Sequence, residues 1–233
     1  MQNIFFIVFL MLIIQLQAQY EMMHVDVKPV DTLRPDFGPN GKKFFYSSYG
    51  LHAIVPTEIN DQAPVMLGPS LGYKFGFTQK YRISGVLSFG YILDFNTFAY
   101  RFKQTDAKTF PDTLEHEKQN ISTTTLGSGL FLRFNFDPKR GNYLGYFLDL
   151  GGYADWHLSR TYKSKDEDAM DQIIHSRVAK LYFMEKYQYG LYATIGFNKI
   201  NLYARYRMSD IFKAPFKSAE LPRLTVGFGF SIF

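Results

Sequence analysis

The sequence predicts an all-β transmembrane protein: an antiparallel eight-stranded up-and-down β-barrel with short periplasmic turns and long extracellular loops. Three observations carry this expectation: period-2 alternation in eight stretches, the residue types on the two faces, and connections that alternate between short and long. Residues 65–77, VMLGPSLGYKFGF, show the alternation best. Val65, Leu67, Leu71, Tyr73, Phe75 and Phe77 fall on one face of an extended chain, and Met66, Gly68, Ser70, Gly72, Lys74 and Gly76 on the other. A soluble barrel would turn the bulky face inward and show water a face of Lys, Glu, Gln and Thr. Here the second face is Gly, Ser and Thr with scattered charges, which suits the interior of a barrel so narrow that side chains fill it. The bulky face then looks outward, and lipid is the solvent consistent with it.

The elements follow in order. An apolar run from Ile4 to Ile14, followed by Ala18, reads as a cleaved signal peptide over 1–18, too short to span a bilayer. Residues 19–41 hold Pro29, Pro35 and Pro39 without a sustained period and read as an irregular leader, periplasmic or tucked into the barrel mouth. The barrel domain occupies 42–233. Its strands are expected near 44–55, 65–78, 82–96, 124–136, 143–158, 181–197, 200–209 and 223–233. Runs this long exceed the strands of soluble domains, and about 9 to 11 tilted residues cross a bilayer. Pro69 is awkward inside the second run, because it donates no ladder hydrogen bond, and a local bulge is expected there. The connections TQKY, DPKRGN and NK suit hairpins at one end, whereas more than twenty residues separate strands three and four, and about twenty separate five and six. That asymmetry is the one expected of an outer-membrane barrel.

Composition removes several function classes. With no Cys, a thiolate metal site, a disulfide or a thiol nucleophile is excluded. A net charge of +5 is spread without a basic block, so nucleic acid is not an expected partner. On the small-residue face, Lys74, Arg133, Arg205 and Arg207 accompany Asp94, Asp149 and Asp155 and read as a charge-compensated interior network. A narrow ion path is the alternative. His157 and Ser159 in DWHLSR stand two apart, hence on one face, and raise a lipid-modifying hydrolase as a second alternative; the nearest downstream carboxylate on a strand, Glu185, is far along the chain. Asp166, Glu167, Asp168 and Asp171 could collect calcium, but Lys163, Lys165 and Arg177 beside them favour a solvated loop. His116 between Glu115 and Glu117 reads as ordinary loop polarity. The stretches FKSAELP and FAYRF are candidates for docking a protein or glycan. No catalytic, cofactor-binding or metal site is assigned.

The signal sequence ending near AQ, the alternating strands, the stretch LYARYRMSDIFK and the ending LTVGFGFSIF resemble the small PorT-like outer-membrane β-barrel proteins common in Bacteroidota. The resemblance implies residence in the outer membrane, and for some members a place in a secretion apparatus. One departure is that Phe233 falls on the small-residue face, while Phe230 and Ile232 fall on the lipid face. The expected role is a non-enzymatic structural or interaction component of the cell envelope, in contact with outer-membrane lipids and with other envelope or secretion-complex proteins.

Overall fold

The computed structural model describes residues 38–56, 60–137, 143–167 and 173–233. The signal-peptide segment and most of the leader lie outside them. Among the described residues, nine strands form one antiparallel sheet: β1 (Lys43–Val55), β2 (Leu71–Arg82), β3 (Leu87–Arg101), β4 (Lys118–Asn135), β5 (Tyr146–Glu167), β6 (Ile173–Ala179), β7 (Tyr187–Phe197), β8 (Ile200–Arg207) and β9 (Leu224–Ile232). The order β4-β3-β2-β1-β9-β8-β7-β5 is closed by pairing of β4 with β5, which makes an eight-stranded barrel. Closure leaves no unpaired edge in the wall, as hydrocarbon demands. The ninth strand, β6, pairs with the far half of β5 and stands beyond the barrel.

The faces are divided as the alternation predicts. Leu71, Tyr73 and Phe77 point outward and Gly72, Gly76 and Thr78 inward, and the same holds around the barrel for Leu93, Leu130, Leu202 and Phe228. Along β4 and the residue that follows it, the outward apolar residues run from Phe136 to Leu126, which lies across from Trp156. Ten residues of strand tilted by about 40° rise about 26 Å, the height of the apolar band of an outer-membrane barrel. Trp156, the single tryptophan, marks its outer edge.

Several boundaries move. Residues 65–70 belong to the first outer loop, where Val65 bridges Phe102 and the Ser70 amide donates to the Leu67 carbonyl. Pro69 therefore precedes β2 and needs no bulge within it. TQKY continues β2, and the turn to β3 is residues 83–86. β3, β4 and β5 all extend outward past their expected ends, and β6 lies in a segment read as loop. Among the described residues 38–41, a 3-10 turn, Gly38–Asn40, sits at the short-turn mouth, where Lys80 donates to the Pro39 carbonyl and Asn40 to the Tyr143 carbonyl at 2.9 Å. Phe233 turns inward, as its parity requires, and its ring packs against Phe44 and Tyr46 at that mouth.

Candidate functional site

Strands β1 to β5 and β7 to β9 aim a polar set into the bore. Arg133 on β4, fully buried, donates from Nε and Nη2 to the two Asp149 oxygens at 2.6 and 2.7 Å, and from Nη2 to the Tyr46 hydroxyl at 2.6 Å. Nearer the outer end, Arg205 on β8 donates to both Asp155 oxygens at 2.9 and 2.8 Å and lies 3.6 Å from Asp94, which Lys74 also approaches at 3.6 Å. Gln188 and Asn96 complete the coordination of Asp155 and Asp94. Pairing is obligatory, because an isolated charge in so dry an interior would cost several kcal/mol. Of the seven charged residues expected on this face, six pair with one another inside the bore. Arg207 finds Glu220 and the Leu221 carbonyl, both in the last outer loop, rather than a strand carboxylate.

The bore holds more than small and ionised groups. Tyr46, Phe131, Phe147, Tyr153, Tyr192 and Tyr203 also point inward, and inward glycines make space for them. A Cβ on Gly90 would come within 2.5 Å of Phe131, on Gly196 within 2.0 Å of Phe147, and on Gly227 within 2.3 Å of Tyr203, each the residue directly across the ladder. The guanidinium carbons of Arg133 and Arg205 lie 3.9 Å from the ring centres of Phe147 and Tyr153. Two voids inside the bore measure about 30 and 10 Å³, each the scale of about one water molecule. Lys80, His52, Tyr46 and Gln188 were missed as interior partners; Lys80 and His52 share the inward parity of their strands, which was the available signal.

The outer mouth is capped by a hydrophobic core. Phe98, Phe102, Phe110, Ile121, Met184 and Phe212 are buried in it, drawn from the ends of β3 and β4 and from three outer loops, with Phe183 and Phe216 packed against it. The aromatics of FAYRF are thus inside the cap and unavailable for docking. In FKSAELP, Phe216 packs on the cap, and Ser218 and Glu220 line an outer cleft of about 640 Å³ with Asn60, Asp61 and Arg223.

His116 is more than loop polarity. Its Nδ1 lies 2.7 Å from Asp166 and its Nε2 3.2 Å from Asp112, so a protonated ring donates to both carboxylates and ties the second loop to β5. Tyr162 donates to Asp112 at 2.7 Å. Partial burial pushes the Asp112 carboxyl up, but hydrogen bonds from Tyr162 and His116, with the charges of His116 and Lys108, outweigh it and hold the group below its ordinary value. Of the acidic group considered for calcium, Asp166 is engaged by His116, Glu167 ends β5, and Asp168 and Asp171 lie outside the described residues.

His157 and Ser159 do not share a face. Thr125 pairs with His157 and Thr124 with Ser159, so Leu158 is an extra residue, a β-bulge that breaks the alternation. His157 turns into the barrel, with neither ring nitrogen hydrogen-bonded, while Ser159 faces out and contacts Thr161. The bulge removes the base-nucleophile geometry that equal spacing implied.

No curated protein matches the chain. Among solved structures, it is similar at 12% identity to Ail, the attachment invasion locus protein of Yersinia pestis, solved in complex with the heparin analogue sucrose octasulfate; the similarity covers 81% of this chain and 94% of that one, with a TM-score of 0.30. Residues 34–209 match the family described as the outer membrane protein beta-barrel domain. With a closed eight-stranded wall, an apolar outer belt and a polar bore, the chain belongs to that outer-membrane β-barrel family.

Proposed function

We propose that this protein is a sealed outer-membrane barrel acting as a non-enzymatic structural or interaction component of the cell envelope. It is exported by a cleaved signal peptide over 1–18, and a leader over 19–41 precedes the barrel of 42–233. The observation that carries this reading is the double closure of the barrel: ion pairs and rings fill the bore, and a packed apolar cap covers its outer mouth. That closure argues against the narrow-pore alternative. The bulge at Leu158 argues against the hydrolase alternative, because it sends His157 and Ser159 to opposite faces. What remains for contact is the belt, which meets outer-membrane lipid, and the outer loops with their cleft. Other envelope proteins are the partners, including those of a secretion or assembly complex, as the PorT-like resemblance implies; nucleic acid is not among them.

Two measurements test this. Purified protein in planar bilayers is expected to show no stepwise conductance, and discrete steps would overturn the sealed reading. Affinity purification from native membranes in mild detergent is expected to retain a stable envelope companion; recovery of the barrel alone, confirmed by crosslinking in intact cells, would remove the interaction role.

A further inference from the structure

The extension beyond the barrel carries a run of like charges placed directly across the ladder from one another. Lys118 on β4 pairs with Lys165 on β5, which pairs with His175 on β6. One row nearer the membrane, Asn120 pairs with Lys163, which pairs with Arg177. Pleating puts all of these on one face, because residues two apart in a strand share a side. The opposite face holds Gln119, Tyr162 and Ser164, turned toward the second loop. Lys118, Lys163, His175 and Arg177 are exposed. Among the described residues, two carboxylates belong to this face: Glu117, 2.6 Å from Lys165 and 3.5 Å from Lys118, and Glu167, exposed at the end of β5 two positions beyond Lys165. Four formal positive charges therefore meet two negative charges, and the face keeps a net positive charge.

Like charges directly opposite each other destabilise a sheet. A sheet that keeps two such rows breaks a local folding rule, and rules of this kind are broken where function needs them broken. The same outer face of β4 and β5 shows what complements it. From the membrane outward its rows are Leu126 and Trp156, then half-buried Thr124 with exposed Ser159, then half-buried Ser122 beside buried Thr161, then the two cationic rows. The sequence apolar, hydroxyl, cationic matches an outer-leaflet glycolipid read from acyl chain to sugar to phosphate. Lys163 and Lys118 lie level with residues six and eight positions beyond Leu126, a rise of about 16 to 21 Å for a strand tilted by about 40°. A phosphoglycerolipid headgroup lies at the level of Trp156, too low to reach them.

We infer that Lys118, Lys163, Lys165 and Arg177, with His175, form a binding face for the phosphorylated saccharide of an outer-leaflet glycolipid whose acyl chains lie on the belt below. This rests on the outer-membrane reading above and names one of its partners. The lysines and Arg177 supply donors to phosphate oxygens, and their mutual repulsion is relieved when the anion is bound.

The test uses the full mature chain in phosphatidylcholine nanodiscs doped with one of three probes: a lipopolysaccharide with a phosphorylated inner core, the same molecule enzymatically dephosphorylated in the core, and lipid A alone. Native mass spectrometry reads bound glycolipid, and the heat-dependent shift of the folded band on gels reads the barrel. The wild type is expected to retain the core-phosphorylated probe, in a salt-sensitive manner, over the other two. The Lys163→Gln, Arg177→Gln double variant is expected to bind about tenfold more weakly, the scale of two exposed charge contacts. Without glycolipid, the same variant is expected to unfold at equal or higher temperature, because repulsion across the ladder is gone. Equal retention of all three probes, or an unchanged affinity in the variant, overturns the inference. So does preferential capture of a soluble sulfated polysaccharide over the doped glycolipid. Loss of the folded band would instead indict the barrel reading itself.

Discussion

Replacing Arg133 with methionine isolates the worth of the inner ion pair. Methionine replaces the aliphatic stem but removes every donor, together with the guanidinium that lies 3.9 Å from the Phe147 ring centre. Asp149, 5% exposed, then faces the bore with its two guanidinium bonds of 2.6 and 2.7 Å gone, and the Tyr46 hydroxyl loses its 2.6 Å donor. Breaking one partner of a buried pair costs about 3 to 5 kcal/mol, whereas replacing both by apolar residues is often neutral. The expected result is a loss of about 3 to 5 kcal/mol for Arg133→Met, and recovery of most of it in Arg133→Met, Asp149→Leu; about 1 kcal/mol persists for the hydrogen bond that the Tyr46 hydroxyl loses. Urea unfolding from short-chain phosphatidylcholine vesicles, followed by the fluorescence of lipid-facing Trp156, measures both. A loss under about 1 kcal/mol in the single variant, or a double variant no better than the single, would refute the claim that paired charge holds the bore together.

Gly127→Ala drives a Cβ to 2.2 Å from Asp94 Oδ1 and 2.3 Å from Asp155 Oδ1, both pinned by their partners, and is expected to cost about 1 to 3 kcal/mol in the same assay. Gly85→Ala, in the β2–β3 turn with nothing within 4 Å, is the control and is expected to change stability by less than about 0.5 kcal/mol. Phe110→Ala removes a ring 4.7 Å from that of Phe212 and 5.6 Å from that of Phe183, and is expected to expose the outer loops to protease while the urea midpoint of the barrel holds. Asp112 has a lowered folded pKa, so its contribution is present above the unfolded value near 4 and lost as pH falls below it; hydrogen exchange in the second loop should rise through that window, and Asp112→Asn should remove the dependence. His157→Ala with Ser159→Ala should leave the lipid A and phospholipid composition of cells unchanged; an altered composition would restore the hydrolase.

What could be read along the chain was whatever depends on residue i and residue i+2. The outward belt, the inward Lys74, Asp94, Arg133 and Arg205, the eight wall strands and the inward turn of Phe233 all follow from that period, because a pleated strand sends alternate side chains to opposite sides wherever it pairs. Outer-membrane residence follows from the same partition, because a bulky apolar wall has lipid as its consistent solvent.

The tertiary structure decided what depends on the partner strand. The bulge at Leu158 is a count of two residues against one across β4, and nothing within DWHLSR reveals it. That single extra residue separated His157 from Ser159. Inward rings such as Phe131 and Phe147 fit only because Gly90 and Gly196 stand across from them, a match fixed by register between strands far apart in sequence. The cap is assembled from Phe102, Phe110, Phe183 and Phe212, and the cationic rows from Lys118, Lys165 and Arg177, each set scattered over distant segments that no local spacing brings together. Local spacing fixes which way a side chain points wherever no bulge interrupts the ladder; only pairing with the neighbouring strands fixes the bulges and which other side chain each residue meets.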